Sequence, residues 1–341
     1  MISLHEAYQI VAATIPLYVA MILGYISVKW LKLFNPDQCS GINKFVAKFS
    51  IPLLSFQVIS KSDPYKMNLR LISADVLQKC IALIAFAVIA KVRSNGHLNW
   101  IITGLSLSTL PNTLILGIPL LKAVFGDEAV VLLAQIVALQ SLIWYNLLLL
   151  MFEFSAARDA YTLQEELEAG QEAERIPRRK AMSVLKTVGK KLLLNPNSHA
   201  TIAGLAWAFI SFGCNVKLPK VVKDSVSIMA DGGLGMAMFS IGLFIASQAR
   251  IVACGTRLAL LTMVLKFIFG PAIMAAPSIA VGLNGVLFKI AVLQAALPQG
   301  IVPFVFAKEY NVHPDILSTG IILGLIFALP VALLYCLLLG L

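Results

Sequence analysis

Thr109-Leu110-Pro111-Asn112 and Ala296-Leu297-Pro298-Gln299-Gly300 each stand inside a long apolar stretch, near 99–122 and 286–307. Proline removes a backbone donor and its ring clashes with the preceding turn, so each stretch is predicted to be a helix broken there. A second proline follows in each, Pro119 after 8 residues and Pro303 after 5. Unpaired backbone inside a bilayer is tolerated only where protein buries it or where it lines a wet cavity. One such break would be read as an ordinary kink. A matched pair with adjoining side-chain amides points instead to a binding site near the membrane midplane.

The rest of the chain fits a membrane setting. Of 341 residues, 59% are hydrophobic and 13% charged, and the mean hydropathy is +0.87. A soluble domain carries about 25% charged residues, so soluble enzymes, disordered chains and collagen-like fibres are excluded. Apolar segments lie near 7–28, 39–60, 70–90, 99–122, 128–154, 197–215, 222–248, 255–283, 286–307 and 314–340. The reading is an all-α membrane protein of ten transmembrane helices, in two groups of five. Residues 1–154 form the first repeat, 155–196 a short cytosolic loop and 197–341 the second repeat. With five helices per group, the second enters the bilayer inverted, an arrangement typical of secondary transporters.

Lysine and arginine orient the chain. With the central loop cytosolic, fifteen of the 27 lie on that side, seven on the other, and five within or at the edge of spans. Both termini are therefore expected to be non-cytosolic. The net charge of +10 sits between apolar stretches and forms no face or stripe, so nucleic acid is not an expected partner; the lipid bilayer is.

Five scattered cysteines (Cys39, Cys80, Cys214, Cys254, Cys336) give neither a disulfide framework nor a metal site. The four histidines lie at loops or span edges. No metal, cofactor, catalytic constellation or nucleotide-binding motif is expected, and so no enzyme. Asp231-Gly232-Gly233-Leu234-Gly235 lacks phosphate-loop spacing, and its glycines are expected to let two helix backbones approach closely.

Polar groups inside the spans remain. Asp75 and Lys79 share a helix face at i, i+4. They read either as a self-neutralising pair close to the interface or as a group beside the substrate, proton-responsive or structural. Gln140, in an otherwise apolar helix, either bonds a neighbouring helix or faces the cavity beside Asn112. Ser55 is weaker, since serine in a membrane helix often bonds a carbonyl of its own helix. Lys266 is expected to have a partner that the sequence does not name.

Several strings resemble one family. Pro16-Leu17-Tyr18-Val19-Ala20-Met21-Ile22-Leu23-Gly24-Tyr25, Pro36-Asp37-Gln38-Cys39-Ser40-Gly41-Ile42-Asn43 and Leu110-Pro111-Asn112-Thr113-Leu114-Ile115-Leu116-Gly117 resemble the plant PIN-FORMED auxin efflux carriers. So do Gly232-Gly233-Leu234-Gly235-Met236-Ala237-Met238-Phe239, Ala296-Leu297-Pro298-Gln299-Gly300 and Lys308-Glu309-Tyr310. The resemblance covers 1–154 and 197–341, and the short central loop resembles the endoplasmic-reticulum branch, some of whose members also reach the plasma membrane.

What the resemblance implies is a homodimer with a fold similar to bile-acid/sodium symporters. Helices 1, 2, 6 and 7 would be a scaffold, and helices 3–5 and 8–10 a moving transport domain crossing at Pro111 and Pro298. Carried over by position, the substrate site comprises Ile51, Ser55, Asn112, Ile115, Gln140 and Ile301, with Asp75 and Lys79 as a support site. The implied ligand is the indole-3-acetate anion, moved out of the cytosol by elevator-type uniport in the service of intracellular auxin homeostasis. Half-helix N-termini and the amides of Asn112 and Gln140 suit a carboxylate, and the isoleucines suit a ring. The alternatives are a proton- or sodium-coupled carrier of another organic anion, or a hormone receptor that moves nothing.

Overall fold

A computed structural model describes residues 4–93, 97–167, 186–191 and 193–340. Most of the charged central segment, Glu168, Glu172, Glu174, Arg175, Arg178, Arg179 and Lys180 included, lies outside the described residues. Among those described, all regular structure is helical: α1 (Leu4–Lys29), α2 (Pro36–Ser60), α3 (Leu69–Arg93), α4 (Leu98–Thr109) and α5 (Thr113–Phe125). α6 runs as Asp127–Leu139, a wide turn Gln140–Trp144, and Tyr145–Leu167. Then come α7 (Pro196–Cys214), α8 (Lys220–Ser247), α9 (Thr256–Ala280), α10 (Gly285–Ala295), α11 (Ile301–Glu309) and α12 (Pro314–Leu338).

Among the described residues, seven helices are long and apolar enough to cross a membrane: α1, α2, α3, α6, α8, α9 and α12. The proline breaks leave α4, α5, α10 and α11 too short to do so individually. The polar first turn of α7, Asn197, Ser198 and His199, lowers its hydropathy. α6 continues past residue 154 to Leu167. No proline or glycine interrupts Glu153–Leu167, and alanine, glutamine, glutamate and leucine there favour continuation.

Local chemistry sets the helix boundaries. At α2, the Asn35 side chain accepts from the Gln38 amide while the Gln38 side chain accepts from the Asn35 amide, both at 2.9 Å, with Pro36 opening the helix. Wider turns, in which bonds span five residues, occupy Val46–Ser50, Thr113–Gly117 and Leu265–Phe269. Each ends two residues before a proline: Pro52, Pro119 and Pro271. The carbonyl four residues before each proline, on Lys48, Ile115 and Phe267, would meet its ring in a regular helix, and widening the turn relieves that clash. The wide turn Gln140–Trp144 has no proline to explain it.

Two packing neighbourhoods follow. α1 runs along α8, and α2 packs on both α7 and α8. α3 packs on α4 and α9, α9 on α10, and α6 and α12 also contact α4. The tightest approach in the first neighbourhood is at Gly24 and Gly242. A Cβ on Gly24 would lie 2.2 Å from the Phe239 carbonyl oxygen, and one on Gly242 would lie 2.0 Å from that of Met21. Of the Asp231–Gly235 run, Gly233 alone packs closely, since a Cβ there would lie 3.0 Å from that of Ser50, and Gly232 and Gly235 face open space. The close approach expected of that run is thus made mainly by the isolated glycines at 24 and 242.

Gly242→Ala is accordingly expected to force α1 from α8, at a cost of about 1–3 kcal/mol typical of overpacking. Thermal unfolding in detergent should show a midpoint several degrees lower, whereas Gly235→Ala should leave it unchanged.

Candidate functional site

The two proline breaks meet. Pro111 and Gln299 form an isolated antiparallel bridge, in which the Asn112 amide donates to the Pro298 carbonyl at 2.8 Å and the Gly300 amide to the Leu110 carbonyl at 2.9 Å. Each break therefore satisfies part of the backbone that the other leaves open. The Thr113 amide is also taken, by the Pro111 carbonyl at 3.0 Å. This narrows the sequence expectation of free amides facing a ligand, because two of them hold the crossing together and a third is taken within its own segment.

Side chains brace the crossing from two helices. Gln140 donates to the Pro111 carbonyl at 3.3 Å and to the Thr113 hydroxyl at 3.1 Å, and Gln294 reaches the same hydroxyl at 3.3 Å. Of its two sequence readings, Gln140 thus follows the bond to a neighbouring segment, at the crossing itself. Asn112 differs: it precedes α5, is 6% exposed, and its side chain makes no capping bond. Gln299 is buried with neither amide atom paired among the described residues. Its oxygen would lie 3.3 Å from a Cβ on Gly320, which places it against α12.

The apolar residues converge too. Ile115 is buried in the core that includes Leu110, Trp144 and Phe304, and half-buried Ile51 and Ile301 pack against that core. Ser55 does not bond its own helix; its hydroxyl donates to Asn197 Oδ1 at 2.8 Å, and Asn197 Nδ2 donates to the Ser141 hydroxyl at 3.1 Å. This chain of bonds joins α2, α7 and the wide turn of α6.

Asp75 and Lys79 are buried inside the protein, at 0% and 3% exposure. They are ion-paired, the Trp144 indole donates to Asp75 Oδ2 at 2.9 Å, and Gln78 Oε1 accepts from Lys79 at 3.1 Å. Gln78 in turn donates to the Gly270 carbonyl of α9 at 3.1 Å. Trp144 and Gln140 belong to one wide turn, so a single element touches both the crossing and the buried ion pair. Lys266 departs from expectation: it is fully buried, and its ammonium has no hydrogen-bond partner among the described residues.

Farther along α6, Lys191 binds Glu153 at 2.9 Å and also Glu309 at 2.8 Å, and bonds Tyr310 as well. Burial pulls the Lys191 ammonium down, but the bonds to Glu309, Tyr310 and Glu153 outweigh it and hold it above its ordinary value. Burial, with the Glu153 bond, pushes the Tyr310 phenol up to about 12. The cluster ties the residues just before α7 to the later part of α6 and the end of α11. Lys191→Ala should raise amide hydrogen exchange over 186–191 several-fold while moving the thermal midpoint by no more than about 2 °C, as half-exposed pairs are worth at most about 1 kcal/mol each.

A separate groove of about 470 Å³ lies between α3, α4, α9 and α12, walled by Phe86, Leu107, Leu261 and Leu265 with Arg93 at its edge. It offers apolar surface and one cation, whereas the crossing gathers amides, hydroxyls and two helix N-termini around aliphatic walls. The crossing is the better candidate for a small amphipathic anion.

Sequence reading missed Thr113, Trp144, Asn197 and Gln294. Only Thr113 carried a usable signal, its place beside the Pro111 break.

The family described as membrane transport protein matches residues 9–336. The chain is 51% identical to auxin efflux carrier component 8 of Arabidopsis thaliana over the full length of both. It is 43% identical to auxin efflux carrier component 5 of the same plant, covering 98% of each. It is 33% identical to probable auxin efflux carrier component 1b of Oryza sativa subsp. japonica, again over all of both chains, with 554 aligned positions.

Proposed function

The chain belongs to the membrane transport protein family, in its auxin efflux carrier branch, and from that premise we propose that it carries auxin as the indole-3-acetate anion out of the cytosol. The observation that carries this reading is the Asn112 side-chain amide, which makes no capping bond at the bridged crossing of two proline-broken helices. The carboxylate would take its donor from Asn112 and from the N-terminal dipoles of α5 and α11. Gln140 shapes the crossing rather than reaching freely into it, Ile51, Ile115 and Ile301 would hold the ring, and Ser55 closes the α2 side through Asn197.

The architecture we propose is a 5+5 inverted repeat of ten membrane passages, α4 with α5 and α10 with α11 each making one broken passage. Residues 1–154 and 197–341 are its halves, joined by a cytosolic segment, with both termini non-cytosolic. The packing of α1, α2, α7 and α8 on one another supports their role as a scaffold, and the second neighbourhood supports a moving body that includes the crossing. Asp75, Lys79 and Trp144 would keep Gln140 aligned during the movement. A homodimer in the endoplasmic reticulum membrane, with some protein at the cell surface, completes the proposal. Its basis is the match to short relatives over their full length.

Uniport is sufficient energetically. Moving one charge through 100 mV is worth about 2.3 kcal/mol, roughly a fifty-fold gradient. Labelled indole-3-acetate uptake into proteoliposomes, with potential, pH and sodium gradients imposed separately, tests this. The expected result is flux that follows the potential alone. Dependence on a proton or sodium gradient would move the reading to a coupled carrier, and binding without flux would make the protein a receptor.

A further inference from the structure

Three acidic or basic side chains are buried among the described residues: Asp75, Lys79 and Lys266. Asp75 and Lys79 neutralise each other. Among the described residues Lys266 has no hydrogen-bond partner, and the like-charged Lys79, itself paired with Asp75, is near enough to act on it. It sits in the wide turn of α9 before Pro271. There α9 lies against α4 just ahead of the break, with a Cβ on Gly270 reaching within 2.5 Å of the Ser108 carbonyl. Leu265 packs on the same core as Leu110. An uncompensated charge in such a place is costly unless an opposite charge joins it, and in a low dielectric that charge need not touch it.

We propose that Lys266 is the counter-charge of the substrate, so that the loaded carrier crosses the membrane electrically neutral and the empty carrier returns with one positive charge. This rests on the carrier reading above and deepens it. A full cycle still moves one negative charge out of the cytosol, so the driving force is unchanged. What changes is the step on which the potential acts. A cytosol-negative potential draws the empty, positive carrier back to face the cytosol and leaves the loaded step alone. Lys266 thus acts on the substrate through the field and not by contact, as a charge-balancing residue.

Two flux modes separate these steps. Exchange, with substrate on both sides of the proteoliposome membrane, needs only the loaded carrier to reorient. Net flux into substrate-free medium also needs the empty carrier to return. For the wild type, a potential of roughly 100 mV should change exchange by less than about twofold and net flux by much more. Lys266→Gln should reverse the pattern, making exchange potential-dependent, and Lys266→Arg should behave as the wild type. Wild-type exchange that follows the potential would overturn the inference, and so would a Lys266→Gln protein that keeps the wild-type pattern. The wild-type arm decides the matter even if Lys266→Gln fails to fold. Absence of any exchange would overturn the carrier reading together with this inference, whereas exchange with the wrong potential dependence overturns this inference alone.

Discussion

Asn112→Ala is expected to abolish saturable auxin flux in a protein that still folds. The side chain makes no capping bond, and the backbone amide that holds the crossing to Pro298 is retained in alanine. Little stability is therefore at stake. A hydrogen bond to a charged group contributes about 1.5–3 kcal/mol, so its loss weakens binding roughly tenfold to a hundredfold. Asn112→Asp should do worse, since it sets a carboxylate against a carboxylate. Gln140→Ala is a poorer probe, because it also removes bonds to Pro111 and Thr113. The check is titration of indole-3-acetate against purified protein, with the thermal midpoint recorded on the same sample. A normal affinity in Asn112→Ala would take the carboxylate away from this residue.

Asp75→Ala carries the largest expected effect on stability. It leaves Lys79 buried without its partner, deprives the Trp144 indole of its acceptor, and places two lysines with no compensating anion in one interior. Removing one partner of a buried pair costs about 3–5 kcal/mol. Expression should fall and the protein should lose its sharp elution in detergent. Replacing both members, Asp75→Leu with Lys79→Met, removes the unpaired charge and should recover the fold. If the pair serves the fold alone, the folded double variant keeps potential-driven flux. Flux lost in a well-folded double variant would give Asp75 a part in the transport cycle itself, as a proton carrier would have.

The membrane class and the two broken helices were legible because they depend on local facts: proline lacks a donor, and a bilayer tolerates no loose backbone. The same rule, applied to Pro52, Pro119 and Pro271, would also have located three of the wide turns. The fourth, at Gln140–Trp144, has no proline and no sequence signal, though it links the crossing to Asp75. Long-range partnerships were equally hidden. Ser55 and Asn197 are 142 residues apart, and Gln140 and Trp144 find their partners on other helices. An apolar pattern that is hydrophobic on every side names no neighbour, so helix pairing could not be read from periodicity. The same holds for Lys266, whose burial is foreseeable from the sequence but whose expected partner is not found among the described residues.

The most direct test is a cryo-EM structure with indole-3-acetate bound. The account predicts carboxylate density within hydrogen-bond distance of the Asn112 amide, with the ring against Ile115 and Ile301, beside the bridge between Pro111 and Gln299. Density in the groove lined by Phe86, Leu107 and Arg93, with the crossing empty, would contradict it.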